Sequence, residues 1–370
     1  MFVLHIGAKK AGSSSIQTFL SANEDILRRH SVEYPQIGRA GTRSHRNLGL
    51  ELLSARREKF GPEGQDKFDP EAGTLCQLID DWRRQKFRTL ILSTEMLEDA
   101  EPDEIEKLKQ VLPSERLGKC KIVFVIRNLI DLIPSVYSQQ SRHGFHERSF
   151  DEFFEKIIKH PRTDFFYTAE SWANVFGWSS MEIRALEPRD LKNGDLLDEF
   201  VSIIEADPIS NQLVKTENRN VSPGWKSLEA VRGLFRGCHG LPEEHPLLAV
   251  RERSREGKLL AKAAMQVAAK RGWDRDRGRY LTDEQAWRCI QRFRTAVKRI
   301  NKRVVRKLPP PVSLKKRPFV AREFEPDVSE ISPADLCSFY DEVWQVIAQK
   351  SEKGVPDTNG RVGTKLISFS

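Results

Sequence analysis

Cysteine is scarce in this 370-residue chain, and the little there is follows no pattern. The five cysteines (Cys76, Cys120, Cys238, Cys289, Cys337) are odd in number and lack CxxC or Cys/His ligand spacing. Neither a disulfide framework nor a metal site is indicated, and reduced thiols in a cytoplasm are expected. No apolar run approaches the roughly 18 residues of a membrane helix. The first apolar segment is short and leads straight into a basic loop, so no signal peptide is read there. Internal repeats and long low-complexity tracts are absent too. With 39% hydrophobic residues the chain can bury a full core, as one large domain or one domain with an appendage. Charge is plentiful: 61 Lys and Arg against 53 Asp and Glu give a formal +8, which attracts polyanions.

The most informative stretch is Phe2-Val3-Leu4-His5-Ile6-Gly7-Ala8-Lys9-Lys10-Ala11-Gly12-Ser13-Ser14-Ser15-Ile16-Gln17. An apolar run ends in a glycine-bounded basic loop, hydroxyls follow, and a helical pattern begins. That order gathers unpaired N–H groups, a cation and hydroxyls at the positive end of a helix, where phosphate binds well. A nucleotide triphosphatase loop reads G-x-x-x-x-G-K-[ST]. Gly7 and Gly12 have its spacing, but Ser13 stands where the lysine belongs, and the cation lies inside the loop at Lys10 or Lys9. Taken alone, this stretch also admits a plain strand–turn–helix corner with a solvated lysine pair, the less favoured of the two readings.

A second segment narrows the choice. Lys121-Ile122-Val123-Phe124-Val125-Ile126-Arg127-Asn128-Leu129-Ile130-Asp131-Leu132-Ile133-Pro134-Ser135-Val136-Tyr137 is an apolar run, an arginine, then a helical pattern. The run suits a buried parallel strand with Arg127 at its carboxyl end, where open α/β sheets bind ligands.

Together these stretches resemble the sulfotransferases that use 3′-phosphoadenosine 5′-phosphosulfate (PAPS), in a bacterial branch reading roughly H-I-G-x-x-K-T-G-[ST]-[ST]-S-I-Q and later R-N-P-x-D-x-x-x-S-x-Y. Lys10, Gly12 and Ser13 to Ser15 fall on the first pattern, and Arg127 and Ser135 on the second. Ala11 stands for the usual Thr and Leu129 for the usual Pro. Leu90 to Leu97 is similar to the family strand ending in Ser-x-Glu, which places Glu95 near the acceptor. Trp172 to Gly177, Met181 to Arg184, Asp195 to Phe200 and Asn218 to Ser222 are similar to further family runs, so the resemblance spans roughly residues 1–235.

Strands are expected at 2–6, 88–93, 121–126 and 181–186, with helices near 14–29, 71–86, 103–111, 131–143 and 150–159. The alternation predicts a central, mostly parallel sheet covered by helices, and the resemblance implies that it is a P-loop-type three-layer α/β/α fold. The expected division is a core at 1–235, a mainly helical basic extension at 236–350 packed on it, and a tail at 351–370. Within the extension, Trp287, Ile290, Phe293, Val297, Ile300 and Val304 recur at helical steps, so 283–307 reads as an amphipathic helix with a strongly basic opposite face. That face is either a solvated surface or a dock for an acidic saccharide, anionic lipid or, least supported, nucleic acid.

The resemblance implies sulfuryl transfer from PAPS to an acceptor hydroxyl or amine, with its 3′,5′-bisphosphate (PAP) as product. In this reading Lys10 stabilises the bridging oxygen. Lys9, the N–H groups of Ala11 to Ser15 with Gly12 between them, and the hydroxyls of Ser13, Ser14 and Ser15 hold the 5′-phosphate. Arg127 and Ser135 hold the 3′-phosphate; the arginine fork suits it. Glu95 by family position, or His45 because imidazole titrates near neutrality, is the base. His45 lies in a Gly38 to Asn47 loop expected to face the acceptor. No metal is called for, an anionic carbohydrate or envelope glycolipid is the favoured acceptor, and a cytoplasmic protein, peripheral at the inner membrane face through 283–307, is expected. A P-loop kinase or NTPase and a non-catalytic polyanion binder on the same scaffold remain the alternatives.

Overall fold

The computed structural model describes residues 1–53, 68–85, 87–113, 118–142, 149–215, 224–236, 254–273, 280–310 and 331–352. Asn218 to Ser222 and the tail from 353 onward lie outside the described residues. Two compact units are formed, the first from Met1–Ile133, Ile157–Asn220 and Glu284–Pro318, the second from Pro134–Lys156, Val221–Asp283 and Phe319–Ser370, so far as these are described.

The first unit holds the sheet. Strands β1 (Phe2–His5), β2 (Val32–Glu33), β3 (Thr89–Ser93), β4 (Cys120–Ile126) and β5 (Met181–Ala185) pair in the order β2-β3-β1-β4-β5, every pairing parallel. Phe2, Val3 and Leu4 of β1, and Ile122 to Ile126 of β4, are buried on both sides, as parallel strands under helices must be. Strand β2 escaped the sequence pattern because two residues carry no periodicity. Its Glu33 is gripped by Arg28 through Nε and Nη2, at 2.9 and 2.7 Å.

Helices follow the strands. Gly12, in the left-handed region, caps α1 (Ser13–Ala22); α2 (Glu24–Arg29) and α3 (Arg46–Leu52) lead toward α4 (Leu75–Arg84). Thr74 and Gln77 form a capping box at the start of α4, and Leu75, Leu78, Ile79 and Trp82 supply its buried stripe. After β3 comes a 3-10 turn, Glu95–Asp99, then α5 (Pro102–Val111). After β4, Asn128 Oδ1 accepts the Ile130 N–H at 3.2 Å and opens α6 (Leu129–Arg142), which runs on into the second unit. Leu129 in the expected proline position is fully buried. The unit continues with α7 (Phe150–Ile157) from its last residue, α8 (Phe165–Phe176) and α9 (Leu196–Ile203).

The basic helix is α12 (Asp283–Asn301), preceded in the chain by α10 (Trp225–Arg236) and α11 (Ser254–Lys270) and followed by α13 (Pro333–Glu352). Ile290, Phe293, Val297 and Ile300 are buried as the periodicity predicts, and Val304 just beyond it likewise; Trp287 departs from it, 56% exposed. The basic face is partly consumed within the unit. Arg292 donates to Thr163 Oγ1 at 2.7 Å and to the His160 carbonyl at 2.9 Å. Arg299 pairs with Asp164 at 2.9 Å and stacks 3.8 Å over the Phe166 ring. Arg306, past the helix end, bonds Glu199 and the Asp190 carbonyl.

The second unit is helical. Ala230, Leu234, Ala261, Ala264, Phe339 and Val343 typify the apolar cluster joining α10, α11 and α13. A fully buried polar triad lies in the same unit: the Tyr137 hydroxyl donates to Glu229 at 3.2 Å, and Glu229 accepts Arg232 Nε at 2.7 Å. No helix among the described residues is long and apolar enough to cross a membrane.

Glu199 anchors the far side of the sheet. It takes Arg184 Nε at 2.5 Å, the Lys192 N–H at 2.9 Å and Arg306. Burial works to raise its carboxyl, yet the bonds from Arg306 and Arg184 hold it below the usual range. Removing one partner of a buried pair strands the other, so Glu199→Ala is expected to cost about 3 kcal/mol in urea unfolding. Arg306→Ala, whose side chain is 45% exposed, is expected to cost about 1 kcal/mol or less. Equal losses would contradict that division.

Candidate functional site

The loop between β1 and α1 is contorted. Gly7, Lys10 and Gly12 all adopt positive φ, at 56°, 61° and 93°. For Lys10 that conformation costs about 1 kcal/mol, which the surrounding structure must hold in place. Gly7 is required sterically: a Cβ there would lie 2.6 Å from Ser13 Oγ and 3.5 Å from the Glu95 Cα and Cβ. A Cβ on Gly12 would collide with Leu196. Ser13 Oγ, buried and turned toward Gly7, has no hydrogen-bond partner among the described residues.

The N–H groups divide in two. Ala11 donates to the Ala8 carbonyl at 3.1 Å and Ser15 to the Gly12 carbonyl at 3.0 Å, so these two are turned into the loop and the first turn. Gly12, Ser13 and Ser14 have no backbone acceptor among the described residues. Expectation thus contracts from Ala11 through Ser15 to those three. Ser14 is exposed and Ser15 half-buried.

Of the two lysines, Lys9 is held outward. Its Nζ lies 3.2 Å from Asp99 Oδ2, its side chain is 52% exposed, and its N–H donates to Glu98 Oε2 at 2.9 Å. Lys10 is half-buried, and its carbonyl accepts Arg127 Nη1 at 2.9 Å. One bond therefore joins the two motifs, 117 residues apart in the chain. Glu95 sits exposed at the start of the 3-10 turn, against Gly7. Ser135 is half-buried on α6, in the second unit.

His45 is a correction. It is fully buried at the start of α3, receives the Ser93 N–H on Nδ1 at 3.2 Å, and so donates Nε2–H to the Pro35 carbonyl at 3.0 Å. Its ring stands edge-on to Tyr34, 4.9 Å away. Burial, reinforced by Arg39, pulls the imidazole down to about 3. With both nitrogens engaged inside the protein it has a structural role. Arg39 of the same loop is buried as well, bonding the Pro35 carbonyl at 2.7 Å and lying 3.9 Å over Tyr34. His5 is likewise buried, beside Ser93 Oγ at 2.8 Å, and burial lowers it to about 4.

Three residues near the loop escaped sequence reasoning: Glu98, Asp99 and Arg162. Glu98 is buried and Asp99 bridges Lys9 to Arg162. The available signal was spacing, because residues three apart eclipse on a 3-10 turn and Glu98 follows Glu95 by three. Burial pushes the Glu98 carboxyl up to about 7, against the pull of Lys9 and Arg162.

Residues 3–183 match the family model described as a sulfotransferase domain. No curated protein and no solved structure matches the chain.

Two buried neutral histidines make the fold acid-sensitive. The unfolded chain binds more protons than the folded one below the ordinary histidine value of about 6.5, so stability falls as pH drops from there toward 4 and 3. His45→Gln is expected to flatten that loss in urea midpoints between pH 6.5 and 4.5. It should leave the pH profile of turnover unmoved; a vanished limb would restore His45 as the base.

Proposed function

The chain carries a sulfotransferase domain over residues 3–183, and from that premise we propose that it transfers a sulfuryl group from PAPS to an acceptor hydroxyl or amine. The observation that carries the donor assignment is the Arg127–Lys10 bond, which sets a two-pronged cation beside an anion cradle. The residues present fit a phosphosulfate: an unpartnered buried hydroxyl on Ser13, beside a Gly7 whose missing side chain leaves that hydroxyl its place. The bound donor supplies the sulfuryl group, on a phosphate that gains negative charge as it leaves.

Lys10, the N–H groups of Gly12, Ser13 and Ser14, and the Ser13 hydroxyl meet that charge with fixed donors, which need no reorganisation during reaction. Arg127 offers parallel N–H groups to the 3′-phosphate while holding the loop through Lys10. Glu95, on the exposed rim beside Gly7, takes the acceptor proton. The proposed acceptor is an acidic carbohydrate or envelope glycolipid. Support comes from exposed Arg294, Lys298, Lys302 and Arg303, and from an open cleft of about 360 Å³ lined by Phe166, Glu170, Arg299, Lys302 and Arg303.

Calorimetric titration with PAP and with ATP, each with and without magnesium, tests the donor. Tight binding of PAP that ignores magnesium, with little for ATP, is expected; magnesium-dependent ATP binding alone would overturn the proposal. Lys10→Ala should lower turnover by at least about a hundredfold, and near-normal turnover would remove it from the reaction. Arg127→Ala should weaken PAP more than adenosine 5′-phosphosulfate. Equal losses would confine Arg127 to holding the loop.

A further inference from the structure

Glu98 is buried beside the loop and has the wrong sign for an anion site. It is 7% exposed, and its Oε2 accepts the Lys9 N–H at 2.9 Å, inside the loop that cradles the anion. The charged groups around it are Glu95 and Asp99 on its own turn, Lys9 from the loop, and Arg162 from the turn Pro161–Thr163. Both cations are drawn to Asp99: Lys9 Nζ at 3.2 Å, and Arg162 by an ion pair and a bond to the Asp99 carbonyl at 3.1 Å. Glu98 makes no ion pair among the described residues, and its direct partner is a backbone N–H.

An anion entering the cradle adds negative charge near a buried carboxyl that already has Glu95 and Asp99 on its own turn. The carboxylate must then repel it or be neutralised. We propose that Glu98 is a positioning residue coupled to a proton: it holds the Lys9 N–H in both states and takes up a proton from solvent when the anionic donor binds. The latch survives the change, because a protonated carboxyl keeps a carbonyl oxygen that accepts the Lys9 N–H. Burial has already brought this carboxyl to about 7, so the nearby anion acts on a group poised to respond. The inference rests on reading the loop as the phosphosulfate site.

The sign follows from linkage. The free protein loses the Glu98 proton above about pH 7 while the complex retains it, so affinity falls as pH rises through and above 7. The limit is tenfold per pH unit, since one proton is exchanged. A Glu98→Gln substitution puts an amide oxygen in place of the protonated acid's carbonyl and leaves nothing to titrate.

The test is calorimetry of the full chain with PAP between pH 7 and 8.5, in two buffers of different ionisation heat. Phosphate monoesters, with a second pKa of about 6, are already dianionic there. Wild type is expected to take up a fraction of a proton and to lose affinity severalfold across the range. Glu98→Gln is expected to take up none, to show a flat profile, and to bind at pH 8.5 at least as tightly as wild type at pH 7. Identical proton counts and slopes in the two proteins overturn the inference, as does uniformly weaker binding by the variant with the slope kept. If wild type binds no PAP, the donor reading fails and this falls with it; binding without Glu98-dependent uptake sinks this inference alone. Should the variant not fold, infrared difference spectra of wild type at pH 8 must gain a protonated-carboxyl band on adding PAP, and its absence overturns the inference.

Discussion

Strand β1 is hydrogen-bonded on both sides by parallel partners, His5 level with Ser93 of β3 and with Val123 of β4. Everything proposed for the site depends on that placement. Parallel strands deliver their carboxyl ends to one edge, so the segments after β1, β3 and β4 emerge side by side although about 90 and 30 residues separate them in the chain. The connection after β1 runs toward β2 and β3, while β4 leads the other way to β5. Between β1 and β4 the winding reverses, and there the loop carbonyl of Lys10 meets Arg127. A lysine could not serve both purposes attributed to Arg127, because only the guanidinium presents several N–H groups in a fixed plane.

The same convergence explains why the loop proposed to hold an anion is bordered by acids. The turn after β3 must lie against the loop after β1, and in this chain it is Glu95-Met96-Leu97-Glu98-Asp99. Asp99 draws Lys9 outward, which leaves the strained Lys10 as the loop lysine on the Arg127 side. Two adjacent lysines are thus turned apart by contacts made 90 and 117 residues away in the chain. The acids are themselves answered, Glu98 by the Lys9 N–H and Asp99 by Lys9 and Arg162.

Much of this was legible before any coordinates. The runs at β1, β4 and β5, the Gly-bounded loop, and the stripe from Ile290 to Ile300 are local patterns that depend on few neighbours. What stayed hidden depends on distant partners. Imidazole chemistry in a polar loop makes His45 resemble a base, but its environment comes from Pro35 and Ser93, which the fold presses around it. The basic face of α12 looked uniformly available. Two of its arginines are nevertheless taken up, Arg292 by the turn at 160–163 and Arg299 by the entrance to α8, as is Arg306 just past its end by α9. Trp287 fits the heptad-like spacing and still faces solvent, so periodicity there marked the helix but not the end of its buried stripe.

The matched region ends at 183, inside β5, but the physical unit does not. Arg184, the next residue, is buried, and a buried guanidinium without acids would be untenable. Glu199 on α9 answers it, and Glu199 in turn receives Arg306 from beyond α12. Phe293 of α12 packs edge-on against Phe165, which itself contacts Phe124 in β4. The sheet's outer layer is therefore completed by a segment more than a hundred residues past the match. A helix whose Arg292 and Arg299 bind two other segments of this unit, followed by Arg306 on a third, is part of its construction, and Arg294, Lys298, Lys302 and Arg303 are exposed on the surface that an acidic acceptor would meet.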